Sequence, residues 1–304
     1  MKVTYRNLFT DVNNIDFAVL KSSDTNCLCL QSSIEKTSRI KKAYLSSQYF
    51  QKQIPDNCFK SISLNQDVKE NLVTALFEYQ DCGQLTKFLA TVPKSWQYAT
   101  GKKLGLILRQ LHSYPLTEKQ KTKAVKRHDS YMEHLATYVA DLPHFKNDRF
   151  ALDALSSRYD HFRIYKAVLR YGSLKHQKLM LTKDSSLILL PSYAFGPGDM
   201  CEDFASLECE CAGLYPVLCA GVIDGYFNEQ VPVKFWIQFA LYSALYSLWK
   251  CGVYAKQSSD MMVKMQLNCD RIREDFNDFK NPIPSWYSNP LIKELRKEAL
   301  KLAF

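Results

Sequence analysis

Glycine and proline are scarce, with 10 Gly and 11 Pro among 304 residues and no glycine before Gly83. That argues against long flexible linkers, and no low-complexity segment or internal repeat marks a disordered or solenoid chain. No uncharged apolar stretch reaches the roughly 18 residues that a bilayer-spanning helix requires. The opening MKVTYRNLFTDVNN lacks the apolar run of a secretory signal. The expected location is therefore the cytoplasm, with no membrane partner. The histidines include no i, i+4 pair with an intervening Glu, which excludes the helical zinc-hydrolase motif. Ten cysteines occur in a chain that is neither short nor marked for export, so reduced thiols are expected rather than a disulfide framework. Cys27/Cys29 and Cys209/Cys211 have Cys-x-Cys spacing, not the C-x-x-C of zinc modules. On a strand Cys27 and Cys29 share a face, where packing accounts for them, and no metal site is expected.

Charge is plentiful but uneven. The net charge is +9, yet from Asp184 to Val233 there are eight acidic residues and no Lys or Arg, leaving the remainder near about +17. A basic chain can bind nucleic acid. Here the cations fall on helix-like stretches (Lys36 to Lys52, Lys102 to Arg127, Lys293 to Lys301), which reads as solvated helix faces. No aromatic-basic RNA module accompanies them, so no nucleic-acid partner is expected.

The 46% hydrophobic content supplies a sizeable core for one large or two medium domains. Phe17 to Leu20, Cys27 to Gln31 and Val73 to Phe77 read as strands. Glu35 to Gln53 turns helical, with Ile40, Ala43, Tyr44 and Tyr49 near one face, and Ile54-Pro55 ends it. Glu78, Tyr79 and Gln80 open a polar connector running to Gly83. Beyond it helical periodicity dominates, as in the stripe Leu104, Ile107, Leu108, Leu111. Leu179 to Leu181 and Leu187 to Leu190 predict a hairpin. Val233 to Trp249 is apolar nearly all round and predicts a buried helix.

This order of elements is that of a kinase-like fold. GKKLGLILRQLHSYPL resembles the aminoglycoside phosphotransferase-like helix that ends in Leu-His before a proline. RYGSLKHQKLML followed by LILLPSYAFGPGDMCEDF is similar to that family's catalytic hairpin. VIDGYFNEQVPVKFW and FKNPIPSWY resemble its C-terminal segments, especially in a bacterial branch. The resemblance covers nearly the whole chain. It implies an α+β, two-lobed, protein-kinase-like fold with a β-rich N-lobe over 1–78, a connector over 79–83 and a mainly helical C-lobe over 84–304.

Family members transfer a nucleotide phosphoryl group to a small-molecule hydroxyl or amine, from a hairpin that begins His-Gly-Asp-x-His-x-x-Asn. Here Gly172 is retained, while Ser173 stands at the position of the base and Lys178 at that of the metal-binding Asn. A hydroxyl is no general base near neutral pH, and an ammonium repels a cation. The second metal-binding Asp is replaced by Pro191, in Pro191-Ser192-Tyr193. The phosphate-covering loop, within Asn7 to Asn26, has no glycine. Leu30 or Gln31 stands where a strand Lys or Arg belongs, and Ala43 or Tyr44 where its Glu partner belongs. Asp199 and Asp203 match retained acidic positions that brace the catalytic loop in the family, and His112 is expected to close its helix end. Lys175 and Lys178 in the former metal region predict a cleft that favours anions. The acidic segment lines a substrate side, as in kinases of polycations, or is ordinary surface.

Taken together with the resemblance, these residues imply a pseudokinase with no intact catalytic residue, acting by binding an unknown small molecule or protein and needing no cofactor. The alternative is a small-molecule phosphotransferase, aminoglycoside- or choline-kinase-like, with an unusual active site. Only that alternative calls for Mg²⁺ and ATP or GTP.

Overall fold

The computed structural model describes residues 4–11, 13–21, 26–141, 144–255 and 259–302. Residues 1–3, 12 and 22–25 of the predicted N-lobe, and 142–143, 256–258 and 303–304 of the predicted C-lobe, lie outside the described residues. The chain divides into two compact units, one holding 1–88, 171–173 and 177–195, the other 89–170, 174–176 and 196–304.

The first unit is built on strands β1 (Thr4–Thr10), β2 (Asp16–Lys21) and β3 (Asn26–Ser33), helix α1 (Thr37–Gln53), and strands β4 (Ser61–Asp67) and β5 (Leu72–Glu78). The five strands form an antiparallel sheet in the order β1-β2-β3-β5-β4. Along β5 the buried residues Val73, Ala75 and Phe77 alternate with half-buried ones, the two-residue period of a strand. They share one core with Phe17, Leu28 and Leu30 of the sheet and with Ile40 and Ala43 of α1. Full burial of one such larger aliphatic or aromatic side chain stabilises by about 1.5–3 kcal/mol. Helix α1 stops at Gln53 because Pro55 disfavours helical dihedrals at Ile54, which adopts φ −137°.

The chain continues through β6 (Cys82–Gln84) and α2 (Leu85–Leu89) to α3 (Lys94–His112), α4 (Glu118–Asp141), α5 (Arg149–Ser157) and β7 (Ala167–Arg170). It returns to the first unit for the hairpin β8 (Leu179–Thr182) and β9 (Leu187–Leu189), with β6 paired to β8. Met180, Ile188 and Leu190 join the first unit's core. The rest belongs to the second unit: β10 (Gly196–Asp199), paired with β7, then α6 (Met200–Leu207), a π-helical turn over Glu208–Ala212, α7 (Pro216–Phe227), α8 (Val233–Ala255), α9 (Ser259–Asp275), α10 (Ser285–Ser288) and α11 (Pro290–Leu302).

In the second unit Leu104, Ile107, Leu108 and Leu111 of α3 are buried. Helices α3 and α7 meet backbone to backbone, and a Cβ on Gly101 would lie 2.2 Å from the Leu218 carbonyl oxygen. Helix α8 is apolar on nearly every side because it is buried on nearly every side, from Phe235 to Leu248. Among the described residues no helix is long and apolar enough to cross a membrane.

The acidic segment corrects the sequence reading. Asp199, Glu202, Asp203, Glu208 and Asp224 are each at most 1% exposed, so these five neither line a solvent-facing site nor form ordinary surface. Buried carboxylates need charge or hydrogen-bond partners, and most of these find theirs on distant elements. Glu202 accepts from Arg127 Nε at 2.8 Å, with Arg170 at 3.3 Å. Glu208 pairs with Arg271 at 2.6 Å. Asp224 accepts from Arg296 Nε at 2.7 Å and Nη2 at 3.1 Å, from Tyr287 at 2.5 Å, and from Tyr98, fastening α11 and α10 to the α3–α7 pair.

Candidate functional site

The stretch Asn7 to Asn26, where the resemblance places the phosphate-covering loop, includes in the first unit the chain between β1 and β2. With no glycine, Asp11 shapes it: one carboxylate oxygen accepts the backbone N–H of Asn13 at 2.8 Å and of Ile15 at 3.2 Å. Asn14 takes the left-handed conformation, φ 56°, which Asn tolerates better than most residues. The other Asp11 oxygen accepts the Tyr193 hydroxyl at 2.6 Å. Asn13 donates its amide to that same hydroxyl oxygen at 2.8 Å, and Arg39 of α1 donates to the Asn13 amide oxygen. Burial, then the bond to Asp11, raises the pKa of Tyr193 above its ordinary value, so the phenol stays a donor.

The Tyr193 ring gathers two cations as well. The Lys178 ammonium lies 4.7 Å and the Arg39 guanidinium 5.8 Å from its centroid, within cation–π range. Lys178 is only 2% exposed. The β1–β2 loop, Arg39 of α1 and Lys178 thus converge on the hydroxyl and ring of Tyr193.

The remaining expected positions of this unit are built into its fabric. Gly172 and Ser173 are both left-handed, at φ 71° and 55°. A Cβ on Gly172 would lie 2.2 Å from the Ala194 carbonyl oxygen, so only glycine fits. The Gly172 carbonyl accepts the Ser192 hydroxyl at 3.0 Å, the Ser192 N–H donates to Ser46 of α1 at 2.9 Å, and the Tyr171 hydroxyl donates to the Leu190 carbonyl at 2.9 Å. Pro191 is buried and Ser173 half-buried. Leu30 and Ala43 sit fully buried in the same core, and Tyr44 packs on Phe77 with ring centroids 6.2 Å apart. Of the connector, Glu78 ends β5 and lies 3.8 Å from Lys60, Tyr79 donates to the Cys82 carbonyl at 3.1 Å, and Gln80 is half-buried in irregular chain.

Lys175, Asp199 and Asp203 belong to the second unit. Lys175 pairs with Glu210 at 3.3 Å, and His176 bonds the Glu210 carbonyl at 2.8 Å. Asp199 caps α6: its carboxylate accepts the Cys201 N–H at 2.7 Å and also that of Tyr165, while its own N–H donates to Glu202 at 3.0 Å. Burial pushes the Asp199 carboxyl up to about 7, against these N–H donors, which favour the ionised form. Asp203, fully buried, meets His112 Nε2 at 3.1 Å, and the other ring nitrogen lies 3.1 Å from the Tyr226 hydroxyl. His112 therefore ties α3 to α6 and α7 through side chains rather than capping its own helix end, as the sequence had suggested.

Sequence reasoning missed Asp11, Asn13, Arg39 and Tyr193 as a group. The Asp-x-Asn-Asn run was the available signal for a side-chain-closed turn. Chemically, Mg²⁺ takes oxygen ligands. The Lys178 side chain offers it an ammonium, Pro191 a hydrocarbon ring, and the nearby carboxylate of Asp11 is engaged by Tyr193 and two backbone N–H groups.

No family model and no curated protein matches this sequence. Solved structures do match in fold. The GDP and kanamycin complex of an aminoglycoside 2″-phosphotransferase superposes with a TM-score of 0.66 and 12% identity, over 90% of this chain and 94% of that one. The GDP complex of a mutant aminoglycoside 2′-phosphotransferase gives 0.65 and 10%, over 93% and 95%. Choline kinase LicA from Streptococcus pneumoniae gives 0.56 and 15%, over 90% and 94%. This chain has their kinase-like fold, with a small β-rich N-terminal part and a larger, mainly helical remainder.

Proposed function

We propose that this protein is a cytoplasmic pseudokinase of the aminoglycoside phosphotransferase-like family, which acts by binding a small molecule or a protein rather than by transferring phosphate. The observation that carries the reading is the Asp11–Tyr193–Lys178 cluster. The loop that would close over nucleotide phosphates is fastened to the protein's own tyrosine, and a buried ammonium stands where a metal-binding side chain belongs. Such a donor set does not fit Mg²⁺. Ser173 adds no general base, and Leu30 or Gln31 with Ala43 or Tyr44 supplies neither charge of a phosphate-gripping Lys–Glu pair.

Acceptor assays test the reading without knowledge of the natural ligand. The unmodified protein, given ATP or GTP with Mg²⁺ and either kanamycin or choline, is expected to form no phosphorylated acceptor above the no-enzyme rate. Metal-dependent turnover of either acceptor would overturn the proposal in favour of an active phosphotransferase.

A further inference from the structure

Lys175 of the second unit is paired with Glu210, but among the described residues three other cations of that unit have no carboxylate within ion-pair distance. A cavity of about 720 Å³ opens between the turn after α5, the first turns of α8 and Pro282. Arg158, Arg163 and Lys234 line it, facing a single carboxylate, Asp160. Among the described residues none of these three cations forms an ion pair. Arg158 spends only Nη1, on the Phe279 carbonyl at 3.3 Å. Arg163 likewise hydrogen-bonds only through Nη1, to the carbonyls of Tyr159 and Phe162 at 3.1 and 3.2 Å, and its guanidinium lies 5.9 Å from the Tyr159 ring centroid. Elsewhere in this unit Arg170, Arg271, Arg273 and Arg296 all face carboxylates within 4.0 Å. An arginine pair left without a carboxylate beside a concave surface has guanidinium N–H groups to spare for an external anion.

The cavity walls are organised. Gln238 of α8 is 3% exposed and donates to the His161 carbonyl at 2.9 Å, fastening the cation-bearing turn to the helix. Ile164, Ile237 and Pro282 supply an apolar side. The volume lies within the range of small-molecule sites, about 300–1,000 Å³. The geometry points to a binding site for a small phosphate monoester, the phosphate held by Arg158, Arg163 and Lys234 and the carbon body lying on Ile164, Ile237 and Pro282. Two negative charges match the formal excess of three cations over one carboxylate. The site lies wholly in the second unit and stands whether or not the first unit binds nucleotide.

Titration calorimetry on the full chain tests this with two probes, phenyl phosphate and inorganic phosphate. Phenyl phosphate should bind saturably, and more tightly than inorganic phosphate by about tenfold or more, because its ring buries apolar surface. Lys234→Ala removes an exposed side chain with no partner among the described residues, so the protein should fold normally and lose about tenfold in affinity, as should Arg163→Ala. The exposed Lys264→Ala on α9 should bind like the parent. Three results would each overturn the inference: no saturable binding of phenyl phosphate, unchanged affinity in both cavity variants, or inorganic phosphate binding as tightly as the ester.

Discussion

Replacing Tyr193 by Phe keeps the ring under Lys178 and Arg39 but deletes the hydroxyl that closes the β1–β2 loop. That oxygen donates to Asp11 at 2.6 Å and accepts from Asn13 at 2.8 Å. A hydrogen bond to a charged group contributes about 1.5–3 kcal/mol and a neutral one about 0.5–1.5. Tyr193 is half-buried, and water replaces part of what is lost, so the expected local cost is about 2 kcal/mol, the lower end of the sum. Global unfolding is a poor readout in a chain of two units, where two-state behaviour is not assured. Hydrogen exchange at the Asn13 and Ile15 amides, both held by Asp11, reads the loop directly. A loss of about 2 kcal/mol accelerates exchange about 30-fold, while core amides such as Ala75 keep their protection. Unchanged exchange at both loop amides would refute the claim that Tyr193 pins the loop.

Other perturbations test the rest of the account. Asp224→Ala leaves Tyr98, Tyr287 and Arg296 without their shared acceptor and should cost about 3 kcal/mol or more, read as faster hydrogen exchange at the buried α7 amides around Asp224; a loss below about 1 kcal/mol would contradict the buried network. Asp199 has a folded-state pKa of about 7, above its ordinary 3.8. Its contribution is therefore full below the lower value and is lost as pH rises through about 7, so Asp199→Asn should flatten the fall in stability over that window, by at most about 1.4 kcal/mol per pH unit. A variant profile parallel to the parent's would assign the slope to other groups. Combining Ser173→Asp, Lys178→Asn and Pro191→Asp supplies the base and the two metal-binding side chains that the resemblance implies, but neither the strand cation nor the helix carboxylate, so phosphoryl transfer should stay absent; its appearance would show that the uncharged residues at those strand and helix positions are no obstacle.

The sequence made the central strands legible and hid the edges. β2, β3 and β5 carry the apolar residues that fill the core, whereas β1 (TYRNLFT) and β4 (SISLNQD) are sheet edges with largely exposed faces, so no strong alternation marks them. Helix α1, the stripe on α3 and the hairpin β8–β9 were legible because burial imposes a period on local sequence. The candidate site was legible only as departures from the resembled family's pattern, at Ser173, Lys178 and Pro191, in the glycine-free loop and at the strand and helix positions. What fills their place depends on Tyr193 meeting Asp11, 182 residues away in sequence, and local patterning carries no record of such a pair. The acidic segment misled for a related reason: the arginines that neutralise Glu202, Glu208 and Asp224 lie at 127, 170, 271 and 296, outside any window that could reveal them.

Nucleotide-dependent stabilisation is the most direct test of the pseudokinase reading, because it requires no substrate. A ligand at 100 times its dissociation constant raises stability by about 2.7 kcal/mol. Thermal melts of the full chain in millimolar ATP or GTP, with and without Mg²⁺, are predicted to superimpose on the melt without nucleotide. A rise in melting temperature that requires both nucleotide and Mg²⁺ would contradict the account.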